Sequence, residues 1–194
     1  MNYAELHCVS HYSFLRGASH PADLIKTASA LGYRALALTD ECSLAGIVKA
    51  HVAAQEYGLQ LIIGSEFKLD GQRLIALVTN RQSYSELSAL ITLARRRSSK
   101  GEYNIRWSDL QHNLRSGLIV WLPSGRTDCD NPLAQNLIQW FSGRLWIGVE
   151  HLLSGCDTED YCYRRNLSAL WQIPMVACGD CLLYTSPSPR DRFL

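Results

Sequence analysis

The sequence predicts an α/β fold in which a parallel sheet curls toward a barrel, and three observations point there. Short apolar runs of strand length alternate with segments of helical period along the chain, about seven of the former. Five acidic or imidazole side chains, His7, Asp40, Glu66, Glu150 and Asp180, each fall at or just past the C-terminal end of one of those runs. The loops that follow parallel strands converge on one rim, so residues far apart in sequence can share a pocket there. Finally, 194 residues of which 47% are hydrophobic supply one substantial core and suit one domain better than two.

The elements follow in order. Ala4 to Val9 reads as a strand. Pro21 to Leu31 reads as a helix: Leu24, Ile25, Ala28 and Leu31 share a face, Pro21 suits the first turn and Gly32 can end it. Ala35 to Thr39 is a compact buried strand. From Leu44 to Tyr57 the positions Leu44, Ile47, Val48, His51 and Val52 form a second helical stripe, closed by Gly58. Leu59 to Glu66 returns to strand, and Leu69-Asp70-Gly71-Gln72-Arg73 makes a tight turn into another, Leu74 to Thr79. Leu87, Leu90, Ile91 and Ala94 mark a third helix. After a polar loop over 98–106, Ser108 caps a short helix before the strand Leu118 to Leu122, and Pro132 opens a helix carrying Leu133, Leu137, Ile138 and Phe141. Leu145 to Val149 is the sixth strand. Asp157, Glu159 and Asp160 suit the N-terminus of a helix with Leu167, Leu170 and Trp171, and Pro174 to Cys178 is the last strand.

Composition narrows the function. No stretch of about 18 apolar residues exists to span a membrane, and the first residues lack a basic start and apolar stretch of the secretory kind, so a cytoplasmic setting is expected. Seven cysteines, odd in number and irregularly spaced, then read as reduced thiols. With 19 Lys+Arg against 18 Asp+Glu there is no overall electrostatic footprint for a nucleic-acid backbone. The one basic run, Arg95-Arg96-Arg97 with Lys100, reads first as cations at a helix C-terminus and second as a phosphate or interdomain contact. The five tryptophans lack a repeating spacing and default to core and interdomain packing. His11 lies four residues after His7, but in strand and loop, not on a helix face, and is a secondary pocket candidate. His20 adjoins a helix start, His51 reads as a packing residue, and His112 and His151 as structural or solvent-facing. Cys178-Gly179-Asp180-Cys181 has CxxC spacing, which alone is weak evidence for zinc or redox chemistry.

The opening LHCVSHYSFLRGASHP, then LGYRALALTDECSLAGIVKAH, LIIGSEF and the late ACGD together resemble, over residues 3 to 180, the N-terminal PHP domain of bacterial C-family DNA polymerases, in particular its error-prone branch. The resemblance implies a distorted seven-stranded (β/α) barrel of PHP type over residues 1–180. It also implies a much longer parent enzyme whose polymerase domains downstream hold Mg2+ and contact DNA. Metal-binding members ring the barrel mouth with histidines and carboxylates, because divalent ions lower the pKa of bound water and polarise a phosphoester. Here the pattern is broken. His7 is kept, but Val9 stands at the second histidine of the first motif, Arg16 where an aspartate is frequent, Glu41 where a histidine follows Asp40, and Arg73 at a further histidine position. Glu66, Glu150 and Asp180 match the remaining acidic positions.

The surviving set His7, Asp40, Glu66, Glu150 and Asp180 would hold at most one divalent cation (Mg, Mn, Ca or Zn), and the expected state is a degenerate pocket in which Arg16 and Arg73 replace lost cations. The alternative is a free-standing metal-dependent phosphoesterase. A strand-end Asp-x-His is expected where the chain has Asp180-Cys181-Leu182, and the following CLLYTSPSPRD resembles an in-frame translation of a sequencing adapter. Residues 181–194 are therefore read as a non-native tail and left out of the fold, with a Ser/Pro-rich linker as the alternative.

Overall fold

The seven apolar runs pair side by side in sequence order in a computed structural model, which describes residues 3–123, 132–152 and 155–179. The strands are β1 (Ala4–Cys8), β2 (Ala35–Leu38), β3 (Gln60–Leu69), β4 (Gln72–Leu77), β5 (Leu118–Leu122), β6 (Leu145–Val149) and β7 (Met175–Ala177). Six helices fill the crossovers: α1 (Pro21–Ala30), α2 (Ile47–Tyr57), α3 (Arg81–Arg96), α4 (Trp107–Asn113), α5 (Pro132–Trp140) and α6 (Asp157–Trp171). Asp180 and the tail 181–194 lie outside the described residues.

The sheet is not wholly parallel. β4 runs antiparallel to both β3 and β5, whereas the other neighbours are parallel. The cause is local: Asp70 and Gly71 adopt φ of 45° and 77°, the left-handed pair of a two-residue hairpin, and a two-residue link can only reverse the chain. β3 consequently continues past Glu66 to Leu69, so Glu66 sits inside a strand and not at its end.

Alternation sorts the side chains into two apolar layers, which is why these strands read as continuous hydrophobic runs. Ala37, Ile75, Leu77, Val120 and Leu122 point into the curl of the sheet with Cys178. Their neighbours Leu36 and Leu38 pack under α1 and α2, while Leu74, Ala76, Ile119 and Trp121 pack under α3 and the helices after it. No backbone ladder joins β7 to β1 among the described residues. Instead the Glu5 carboxylate on β1 accepts from the Gly179 backbone N–H at 2.8 Å, bringing the two edges together.

Three local expectations change. In α2 the buried face is Ile47, Ala50, Ala53 and Ala54, while Val48, His51 and Val52 face outward, because small alanines let α2 lie close to α1. His51 is therefore not a packing residue. α4 begins at Trp107 with Arg106 as its cap residue, whose N–H is accepted by Asp109 at 2.9 Å, so Ser108 lies within the helix. α3 is longer than its apolar stripe, starting from a reciprocal cap between Asn80 and Ser83. His20 serves as the α1 N-cap, its Nδ1 accepting from Ala22 N–H. The described cysteines, Cys8, Cys42, Cys156, Cys162 and Cys178, are free thiols. No described helix is long and apolar enough to cross a membrane.

Candidate functional site

His7 stands at the centre of the barrel mouth. Pairing between β1 and β2 slips by a residue between Glu5 and Cys8, an irregularity of the kind that re-aims side chains. Fully buried, the imidazole reaches a carboxylate with each nitrogen: Nε2 to Glu66 at 2.7 Å and Nδ1 to Glu150 at 3.1 Å. Both nitrogens can donate at once only in the imidazolium form; in either neutral tautomer one of them is an acceptor.

Arginines close the other side of those carboxylates. Arg16, from the loop after β1, donates to both oxygens of Glu66 at 2.6 and 3.2 Å and to Glu41 at 2.8 Å. Arg73 is the second residue of β4, and because that strand runs antiparallel to β3 and β5 its start lies at the same rim as their ends. It donates to Glu150 at 2.5 Å and lies 4.0 Å from Glu66. Both guanidiniums keep about a fifth of their side-chain surface exposed, 20% and 21%, so they form the lid of the pocket over a dry floor. Buried Arg164 of α6 adds a third guanidinium, 3.8 Å from Glu150.

Asp40 is held differently. It accepts from Ser10 N–H at 2.8 Å, Ser10 Oγ at 2.7 Å and Ser13 Oγ at 2.7 Å, all neutral donors from the loop after β1. Glu41 turns outward to Arg16, to Lys68 at 3.1 Å and to the Tyr103 hydroxyl at 2.9 Å.

The electrostatics follow these contacts. Burial alone would raise the Glu66 pKa, but hydrogen bonds and charge from His7 and Arg16 outweigh it and hold the carboxyl down at about 2. Glu150 is likewise lowered, burial being outweighed by the His7 hydrogen bond and the Arg73 charge. Glu41 is lowered too, against its burial, by hydrogen bonds from Arg16, Tyr103 and Lys68. For Arg16, desolvation is outweighed by Glu66 and Glu41, so its pKa rises and the guanidinium stays charged.

The structure thus gathers His7, Arg16, Asp40, Glu41, Glu66, Arg73 and Glu150 at one mouth. His11 does not join them: it is exposed, stacked 5.2 Å from His20, with Nδ1 3.2 Å from the Ser19 carbonyl. Asp180 lies outside the described residues. Ser10, Ser13, Tyr103 and Arg164 were not foreseen. Glu5, two residues before His7 and accepting from its N–H at 2.9 Å, was detectable from strand alternation. Within the basic run, Arg95 donates to the carbonyls of Glu41, Cys42, Gly101 and Glu102, and Arg97 pairs with Asp109, so these two hold the loop after α3.

A divalent ion takes its ligands from oxygen and nitrogen lone pairs and competes for them with hydrogen-bond donors and cations of the protein. Each oxygen of Asp40, Glu66 and Glu150 and each nitrogen of His7 already meets a protein partner, and two arginines stand where cationic charge would be required. Among the described residues no group of three or more His, Cys, Asp or Glu side chains is arranged to hold a metal ion. As arranged here, the donor set is engaged by protein hydrogen bonds and guanidinium charge, with which a divalent ion would have to compete.

A curled α/β sheet with histidine and carboxylates at its mouth defines a class, and the family model of the PHP domain matches residues 5–145; the chain belongs to that family. It is 49% identical over 187 residues to the error-prone DNA polymerase of Teredinibacter turnerae, with 96% of this chain and 18% of that protein covered. It is 48% identical over 180 residues to that of Saccharophagus degradans, covering 92% and 18%. The chain thus spans less than a fifth of these relatives' length. Among solved structures it resembles a Bifidobacterium adolescentis protein described as a metal-dependent phosphoesterase, with a TM-score of 0.70, 16% identity and 96% and 90% of the two chains covered. An amidohydrolase from Chromobacterium violaceum gives a TM-score of 0.66 at 18% identity, covering 92% and 87%. At these identities the structural likeness carries the fold alone.

Proposed function

We propose that residues 1–180 are the N-terminal PHP domain of an error-prone DNA polymerase acting in damage-tolerant synthesis and repair, and that this domain is architectural. The observation that carries the second half is the committed state of His7, Glu66 and Glu150, whose polar atoms face protein partners in place of an ion. Arg16 and Arg73 supply the positive charge that ions supply elsewhere, and guanidinium forks suit carboxylates well enough to do so. In this reading the Mg2+-dependent nucleotidyl transfer belongs to downstream domains of the same cytoplasmic protein, which also contact DNA, and residues 181–194 are foreign to the domain. The polymerase relatives support the first half by identity over nearly the whole chain.

The test is equilibrium titration of the purified chain with Mn2+, Zn2+ and Mg2+, with exonuclease and phosphatase assays alongside. No stoichiometric binding, no turnover and no primer extension are expected. Mn2+-dependent hydrolysis that vanishes in His7→Ala would overturn the architectural role. A free-standing phosphoesterase is the second reading: the fold covers 90% of the Bifidobacterium adolescentis chain, so it can stand without further domains, and turnover of a small phosphate ester would select this reading.

A further inference from the structure

The loop that delivers Arg16 to the pocket also presents two large apolar side chains to water. Phe14 is 86% exposed and Leu15 89%, nearly as open as in an unfolded chain. Leu15 adopts φ 59°, a left-handed conformation that a γ-branched residue adopts only under strain and that glycine or asparagine would adopt freely. The loop is nevertheless rigidly built. Ser13 Oγ is tied to Asp40, the Ser13 carbonyl accepts from both Arg16 and Gly17 N–H, and Gly17 lies so close to the chain that a Cβ there would sit 2.0 Å from the Ser10 carbonyl oxygen. A strained, pre-ordered turn ending in two exposed apolar side chains is the form of an anchor held ready for a pocket, since little ordering entropy remains to be lost on docking.

A second apolar strip adjoins it. Val48 and Val52, one turn apart on α2, are 73% and 59% exposed, although their spacing marks them for burial. Tyr12 connects the two: the Lys49 ammonium lies over its ring at 5.6 Å, and Gly46, at the start of α2, packs against it. The loop and the start of α2 thus touch through Tyr12, and exposed apolar side chains on both sides of that contact are the composition of an interface.

We infer that Phe14, Leu15, Val48 and Val52 form the surface on which the remainder of the polymerase chain docks, with Phe14 and Leu15 inserting into an apolar pocket of that remainder. This rests on the reading given under the proposed function. The occupant is chosen because more than four-fifths of the Teredinibacter turnerae relative lies outside the matched segment, which makes an intramolecular partner available at high effective concentration. Docking there also covers Arg16 and dries its ion pairs with Glu66 and Glu41.

The experiment is hydroxyl-radical footprinting of the unmutated full-length polymerase encoded by the uninterrupted gene, native and in urea. Oxidation of Phe14 and Leu15 at least about fivefold slower in the native enzyme, independent of protein concentration, is the expected result. Rates within about twofold of the unfolded enzyme overturn the interface, and protection that appears only as concentration rises assigns the surface to a second copy and overturns it as well. Should the gene not continue into polymerase domains, the underlying reading fails separately, before any footprint is taken.

Discussion

Asp40 and Glu66 lie on neighbouring chain segments at one mouth, yet they are neutralised by opposite means. Asp40 is surrounded by hydroxyls and an N–H from Ser10 and Ser13, which stabilise it without balancing its charge. Glu66 lies between an imidazole and a guanidinium, so its charge is balanced as well as solvated. The neutral side pins a loop; the ionic side joins β1, β3, β4 and the turn after β6 across the barrel. Buried ion networks add little over apolar packing when intact but are expensive to break, because the survivor is left charged and dry. The two sides should therefore fail differently.

His7→Ala is the most damaging change expected, since it leaves Glu66 and Glu150 buried without the imidazole that both contact. A loss of about 3–5 kcal/mol is expected in urea unfolding at pH 7, and a loss below about 1 kcal/mol would erase the contrast. Next is acid. Glu66, Glu150 and Glu41 all have folded pKa values depressed below their ordinary carboxylate range. Their stabilisation is complete above the unfolded value of about 4.5 and is lost as pH falls toward the Glu66 value of about 2. Urea midpoints that decline steadily between those limits are expected, and a flat profile would remove the ionic side's importance. Ser13→Ala should be mildest, costing about 1.5–3 kcal/mol because its hydroxyl donates to the Asp40 carboxylate and accepts from Glu41 N–H, with the acid profile otherwise preserved in the same unfolding assay.

The barrel's strands were readable because both of their faces are buried, so each appears as an apolar run bounded by turns. The reversal of β4 was half visible: Asp70-Gly71 was recognised as a tight turn, but its consequence for strand direction, and so for Arg73 reaching the rim, needed the pairing itself. The outward face of α2 was not readable, since alanine buries as well as valine and periodicity does not say which stripe faces in. Most of the pocket was found from strand ends and motif order. Tyr103 was not, since it comes from the irregular polar stretch after α3, and Arg164 was not, since nothing in the Arg164-Arg165 pair marks which of the two turns inward from α6. His11 is a secondary pocket candidate in the sequence, where a loop gives no period from which to tell that its ring turns outward to His20.

The Glu5 hook to Gly179 gives the barrel an asymmetric weakness. Among the described residues six neighbouring strand pairs are laced by repeated backbone bonds, whereas the seam between first and last is bridged by a carboxylate. The cylinder can therefore widen along that one line at the loss of a side-chain contact, leaving every other stave in register.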